Sequence, residues 1–183
     1  MTDLDEAVIA VSAAKRTKVP VVASMVFDSG PDKTRTMMGV TIEDAVAALT
    51  EAGADVIGAN CGVGIDHYLV VCQRLRNATS LPVWIKANAG LPEYADGKVT
   101  YAETPEHFAS KAMEICAAGA NFVGGCCGRR RRSLARLPCD SKISFLELTL
   151  WSLSYEERDG SASVQVHSEP FTPLLFIREG VGG

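Results

Sequence analysis

Apolar and polar positions along the first 128 residues follow two alternating periods. Stretches in which Ala, Leu and Val recur every three to four residues predict amphipathic helices, and each is followed by a short β-branched run that predicts a strand. The helical stretches are residues 4–16, 41–52, 65–78 and 104–118, and the predicted strands start at residues 21, 55, 83 and 122. Helices and strands that alternate at this spacing indicate parallel βα units.

The predicted helices carry recognisable start and stop signals. Thr41 is a plausible N-cap ahead of an acidic first turn, and Pro105 occupies a first helical position, where its missing N–H costs nothing. Gly53 and Gly119 follow the second and fourth helices and favour their termination. These signals set the helix boundaries independently of the apolar periodicity.

The repeat suits an α/β fold of the (β/α)₈ TIM-barrel family, although a doubly wound open sheet has the same local pattern. The four units found in residues 1–128 are half of an eight-unit barrel, which typically takes about 250 residues. Four strands would leave open sheet edges and an inner face bearing residues such as Val22, Ile57 and Val83 or their neighbours. We therefore expect self-association or a partner that supplies the missing half-barrel.

The pattern stops after Gly128. A run of four arginines, residues 129–132, follows directly, and a solvated tail explains it better than a phosphate or RNA site. The segment 143–151 could pair as a strand, but the rest is polar and contains prolines. We predict that residues 129–183 are a poorly ordered tail with no assigned domain.

Composition excludes several classes of protein. The chain has 183 residues, a hydrophobic fraction of 47% and a formal net charge of -4, so it can form a packed core and has no overall attraction for nucleic acid. No apolar run approaches the about 20 residues that span a bilayer, and no signal peptide is evident. We expect a cytoplasmic protein, in which six cysteines indicate metal ligands, reactive thiols or core residues rather than disulfides.

Three of these cysteines stand where predicted strands end. Cys61 follows the second strand, and Cys126 and Cys127 follow the fourth. In parallel β/α folds chemistry collects at the carboxyl ends of strands, so the three thiols converge on one mouth. Three thiolates with an open fourth position are typical of a catalytic zinc site. Spacing alone leaves two alternatives open, namely small buried residues and a Cys126–Cys127 redox pair.

The remaining cysteines and histidines give weaker signals. Cys72 and Cys116 lie on helical faces with apolar neighbours, which indicates core packing. Cys139, in the unassigned tail, gives no signal. His67 near a helix start is better explained as a surface residue than as a ligand.

Three segments in the same order resemble the signature of the homocysteine S-methyltransferase family, which includes the homocysteine-binding module of cobalamin-dependent methionine synthase and betaine–homocysteine methyltransferase. The segments are Gly58-Ala59-Asn60-Cys61, Lys86-Ala87-Asn88-Ala89-Gly90-Leu91-Pro92 and Gly124-Gly125-Cys126-Cys127-Gly128. The resemblance covers residues 1–128 and implies the C-terminal half of a (β/α)₈ barrel.

By this resemblance, Cys61, Cys126 and Cys127 hold Zn²⁺, Asn88 binds the amino-acid moiety of homocysteine, and Asn60 lies beside the metal at the substrate site. The implied reaction transfers a methyl group from methyl-cobalamin, S-methylmethionine or betaine to the homocysteine thiol, giving methionine. The metal serves as Lewis acid, so no acid–base dyad is required.

Two departures from the family pattern bear on activity. Ala87 replaces a more usual proline, which is a mild change. The family's amine-binding glutamate precedes the segment that matches Met1, so we expect poor turnover from this chain alone. The alternative interpretation is a truncated, non-catalytic zinc-binding fragment of such an enzyme.

Overall fold

The computed structural model describes residues 1–95, 97–129, 154–158 and 161–165. Its helices are α1 (Leu4–Lys15), α2 (Ile42–Glu51), α3 (Tyr68–Ala78, after a 3₁₀ turn at Ile65–His67) and α4 (Pro105–Ala117). Its strands are β1 (Val22–Met25), β2 (Val56–Cys61), β3 (Val83–Ala87), β4 (Glu93–Ala95), β5 (Lys98–Thr100), β6 (Phe122–Gly125), β7 (Ser154–Arg158) and β8 (Ser161–Gln165).

Four strands form a parallel sheet in the order β1-β2-β3-β6. Ile57 of β2 is in register with Ala23 on one side and with Val83 on the other. Spatial order follows chain order through the four strands of this sheet, with none of the reversal that defines a doubly wound sheet. This arrangement is the wall of a barrel, and it confirms the α/β barrel prediction.

The helices begin and end where the sequence signals predict. The Thr41 side chain accepts a hydrogen bond from the backbone N–H of Asp44 at 3.1 Å, and Thr104 caps α4 in the same way ahead of Pro105. Gly119, with φ of 108°, follows α4 in the left-handed region that favours glycine. Consecutive helices contact each other in chain order, so they form a layer beside the sheet.

The face of the sheet that packs on the helices differs in part from the prediction. Ile57 and Val83, expected on an open inner face, are 1% and 0% exposed and belong to the core that the helices cover. Val22 is 39% exposed and lies outside that core. Successive strand residues point to opposite faces, so Trp84 lies on the face opposite to Val83. The expectation named these three residues or their neighbours, and it holds for Val22. In place of Ile57 and Val83, the opposite face carries neighbours such as Trp84.

Two hairpins were not predicted. β4 and β5 pair antiparallel and are inserted between β3 and α4, and β7 pairs antiparallel with β8. The chain divides into two compact units, Met1–Phe145 and Leu146–Gly183, and the second contains the β7–β8 hairpin. The predicted strand at 143–151 and the arginines at 130–132 lie outside the described residues. None of the helices in the described part of the chain has the length and apolar character needed to cross a bilayer.

Candidate metal centre

The three cysteines at the strand ends meet in space. Cys61 ends β2 and Cys126 follows β6, and β3 lies between these two strands. The side chains approach each other past the end of β3, where Cys61 is in register with Ala87 and the Cys126 N–H donates to the Ala87 carbonyl at 2.8 Å. The Cys61 and Cys126 sulfurs are 3.1 Å apart, and all three sulfurs lie within 4.8 Å of one another.

Local backbone geometry aims these thiols. Cys61 has φ of 63°, in the left-handed region, and it is followed by Gly62 with φ of 70°. Such a conformation costs a non-glycine residue about 1–3 kcal/mol and is concentrated at functional sites. The chain therefore leaves β2 by a tight turn that no regular strand ending would produce.

The Cys126–Cys127 turn is held from two directions. The Arg129 N–H donates to the Cys126 carbonyl at 3.1 Å and closes the turn. Within this turn Gly128 has φ of 78°, in the left-handed region. The Ala89 N–H donates to the Cys127 carbonyl at 2.9 Å and joins the turn to the loop after β3. The adjacent cysteines are thereby fixed with their sulfurs 3.9 Å apart.

Asn60 contacts the centre directly. Its side-chain Nδ2 donates to the Cys61 sulfur at 3.3 Å, and its Oδ1 accepts from the Ser24 hydroxyl at 2.7 Å. Burial raises the pKa of the Cys61 thiol, and the Cys126 sulfur raises it further, whereas the Asn60 amide lowers it. An amide donor directed at this sulfur stabilises its thiolate form. Sequence reasoning missed Ser24, since a lone serine in a strand carries no signal of its partner.

Asn88 lies in the loop after β3, against the turn that follows Cys61. Its backbone N–H donates to the Cys61 carbonyl at 3.3 Å, and its Nδ2 donates to the Gly62 carbonyl at 2.8 Å. The side chain is 7% exposed, and its Oδ1 has no hydrogen-bond partner among the described residues. A buried acceptor without a donor is rare in proteins and is often completed by a ligand or water. Substrate binding by Asn88 and Asn60 stays a prediction.

The geometry of the three sulfurs fits a thiophilic metal ion. Zinc–sulfur bonds of about 2.3 Å at tetrahedral angles place sulfur atoms about 3.8 Å apart. The Cys126–Cys127 separation of 3.9 Å already has this value, and the Cys61–Cys126 separation of 3.1 Å needs a shift of about 0.7 Å. Soft thiolate donors select zinc and similar metals over magnesium or calcium. The three residues can therefore hold such an ion with little rearrangement.

The other cysteines and the histidines in the described residues lie apart from this cluster. Cys72 is fully buried in α3, where its thiol contacts the Ile115 carbonyl at 3.6 Å and burial raises its pKa to about 11. Cys116 packs against the same core, and burial raises its pKa too. His67 contacts the backbone carbonyl of Lys33. The expected packing role of the two cysteines is confirmed, and Cys139 lies outside the described residues.

Comparisons with known proteins agree with the geometry. A sequence profile described as homocysteine S-methyltransferase matches residues 1–138. Over 93 residues the chain is 35% identical to a methionine synthase of Mycobacterium leprae, covering 50% of this chain and 8% of that protein. Over 143 residues it is 27% identical to an S-methylmethionine–homocysteine S-methyltransferase of Pongo abelii, covering 68% of this chain and 38% of that protein.

A solved structure shares the fold. The metallated form of the homocysteine methyltransferase MmuM from Escherichia coli matches with a TM-score of 0.57 at 20% identity, covering 74% of this chain and 41% of that one. The chain thus spans less than half the length of each of these relatives. The family profile matches three-quarters of this chain, and the matched segment contains the three cysteines of the cluster. The chain belongs to the homocysteine S-methyltransferase family.

Proposed function

We propose that this chain takes part in zinc-dependent transfer of a methyl group to the thiol of homocysteine, giving methionine. The observation that carries the proposal is the cluster of three sulfurs within 4.8 Å at the carboxyl ends of two parallel strands, in a chain of this family. Cys61, Cys126 and Cys127 would hold the ion and leave one coordination position open. Three protein ligands and an open position are typical of catalytic rather than structural zinc.

Bound zinc would supply a Lewis acid that keeps a small thiol deprotonated at neutral pH, although a free thiol has a pKa near 8.5. The chain's own residues orient and surround the reacting sulfur. The unpartnered Oδ1 of Asn88 is an acceptor suited to the ammonium group of an amino-acid substrate. The Asn60 amide, held by Ser24, contributes a donor on the sulfur side of the site.

The methyl donor is a separate part of the proposal. The relatives described above include a methionine synthase and an S-methylmethionine–homocysteine S-methyltransferase. For this chain the candidate donors are methyl-cobalamin, S-methylmethionine and betaine. In each donor the methyl carbon is bonded to an electron-poor atom. The electron-rich sulfur attacks that carbon in line, and the new sulfur–carbon bond forms as the bond to the donor's cobalt, sulfur or nitrogen breaks and its electron pair leaves with the donor. Much of the rate of such a reaction comes from holding the two reacting groups in position. A donor bound by another chain or module would therefore have to reach the three cysteines at the strand ends.

A second candidate is a zinc-binding protein without turnover of its own. The three sulfurs of the described residues come from the ends of two strands, whereas a barrel site normally draws residues from several strand ends. A partner providing the other half-barrel would restore the first function. The two candidates share the metal centre and differ in methyl transfer.

One experiment separates them. Purified protein is assayed for zinc content and for methionine formation from homocysteine with each donor, alongside the triple variant Cys61→Ser/Cys126→Ser/Cys127→Ser and the control Cys116→Ser. We expect one zinc per chain in the parent and the control, and no zinc in the triple variant. We expect the parent's turnover to lie below about 1–10³ s⁻¹, the range of typical enzymes. Equal zinc in the triple variant, or zinc bound mainly through nitrogen by X-ray absorption, would contradict the proposed site.

A further inference from the structure

Arg129 stands directly after the Cys126–Cys127 turn and carries a buried guanidinium. Its side chain is 2% exposed, and it forms an ion pair with Glu103, whose side chain is 10% exposed. Its Nη2 donates to the backbone carbonyl of Asn88 at 3.0 Å, and its guanidinium carbon lies 3.9 Å from the centre of the Phe108 ring. A single side chain thus joins the turn after β6, the loop after β3 and the start of α4.

The path of this side chain is built into the strand end. A Cβ placed on Gly125 would lie 2.8 Å from the Arg129 Cβ and 2.9 Å from its Cγ, closer than real Cβ contacts. Gly125 therefore leaves the space through which the arginine stem passes. In the sequence this glycine belongs to the segment that contains the cysteine pair, so the same few residues place both the thiols and the arginine.

Stability alone is a poor reason for this arrangement. A buried ion pair loses the hydration of both charges, and its attraction compensates only when the remaining donors are satisfied. Nε and Nη1 of Arg129 have no hydrogen-bond partner among the described residues. The pair therefore fixes geometry more than it adds free energy, and what it fixes is the contact between two segments of the metal centre.

The backbone links show which geometry depends on it. The Cys126 N–H bonds to Ala87, and the Ala89 N–H bonds to Cys127, so the turn and the loop after β3 are joined on both sides of Asn88. The Arg129 side chain adds the third link, at the Asn88 carbonyl itself. Without it, only those two backbone bonds hold the cysteine turn to the Asn88 loop.

We propose that Arg129 is a positioning residue of the metal centre: anchored by Glu103, it clamps the Cys126–Cys127 turn to the Asn88 loop. The inference rests on the proposed zinc site and deepens it. Groups that orient ligands without touching the metal typically alter metal affinity by about 10–100-fold when they are removed. The clamp acts on two of the three cysteines and on Asn88, so its loss should have an effect of this size.

The test compares zinc dissociation constants of Arg129→Met, Glu103→Gln and the parent chain by competition with a chelator. Arg129→Met keeps the length of the side chain and removes its donors, and we expect binding at least about tenfold weaker. The control is Lys15→Met, which breaks the Lys15–Asp55 ion pair at the opposite end of the sheet and should leave the affinity within twofold. Parent-like affinity in Arg129→Met would overturn the clamp.

Two further measurements keep the test decisive. If Arg129→Met does not fold, Arg129→Lys keeps the charge opposite Glu103 but lacks the planar fork that also meets Asn88, and it should bind zinc severalfold more weakly. Parent-like affinity in this variant counts against the clamp. In metal-free protein, amide hydrogen exchange over residues 125–129 should accelerate in either variant and not in Lys15→Met. A parent that binds no zinc refutes the proposed function, and unchanged exchange refutes the clamp.

Discussion

Gly58, in the middle of β2, is the residue whose substitution tests the packing of the site wall most directly. A Cβ at this position would lie 2.7 Å from the Trp84 carbonyl oxygen, 3.3 Å from the Trp84 Cβ and 3.4 Å from the Ser24 hydroxyl. Its φ is not positive, so space and not backbone conformation requires the glycine. We predict that Gly58→Ala forces β2 away from β3.

The size of the effect follows from the nearest contact. Relief of a 2.7 Å contact to an ordinary separation of about 3.4 Å needs a shift of about 0.7 Å, and a backbone oxygen within a sheet cannot rotate away. Overpacking of this kind costs about 1–3 kcal/mol. Because Cys61 lies three residues along the same strand, the shift also reaches the candidate metal centre. We expect lower stability together with weaker metal binding.

Urea unfolding followed by circular dichroism measures the first effect, and Gly124→Ala is the matched control. Gly124 lies in β6, and a Cβ there would meet the Trp84 Nε1 at an ordinary 3.7 Å. The midpoint for Gly58→Ala should fall well below that of the parent, and the midpoint for Gly124→Ala should stay close to it. Equal midpoints for the two variants would refute the reasoning from strand spacing.

Three other predictions concern charge, thiol reactivity and assembly. Hydrogen bonds from the Lys15 ammonium and, to a lesser extent, from the Val21 N–H hold the pKa of Asp55 below its usual value. The ionised carboxylate therefore stabilises the fold above about pH 4, and this contribution disappears as pH falls through the folded-state pKa. The gap in unfolding midpoint between parent and Asp55→Asn should therefore be present at pH 7 and close near pH 2, and a constant gap would count against the ion pair. In metal-free protein, a thiol reagent should modify the exposed Cys127 rapidly. Cys72, whose pKa is about 11, should react only when the protein unfolds. Mass spectrometry of timed digests can check both rates. Light scattering after gel filtration should show species larger than a monomer, and a compact monomer with a protease-resistant tail would contradict the expected self-association.

Local signals predicted the elements well because they act within a few residues. The Thr41 cap and the glycine after α4 fixed helix ends, and periodicity placed all four parallel strands. The same periodicity could not assign the faces of the sheet. Ile57 and Val83 lie in strands whose residues are mostly apolar on both faces of the sheet, so no alternation of apolar and polar residues shows which face is covered. Only the contacts with the helices identify that face.

Contacts between distant segments were beyond sequence reasoning for a different reason. The convergence of Cys61 with Cys126 was predictable, because parallel strands end at a common edge. Arg129 looked like part of a charged tail, and its Glu103 partner lies on another loop, so no spacing rule connects them. The β4–β5 hairpin was missed as well, since neither strand is longer than three residues.

Several costly local features collect around the candidate metal centre, which supports the proposal of a ligand there. Cys61 adopts a backbone conformation that favours glycine, and Asn88 and Arg129 bury polar atoms without partners among the described residues. Each of these features costs stability in a metal-free chain. They occur together close to the three sulfurs, whereas helices α1, α2 and α4 begin at ordinary side-chain caps. A rigid core that carries strained residues next to the three sulfurs is what the proposed site, preorganised for an ion, requires.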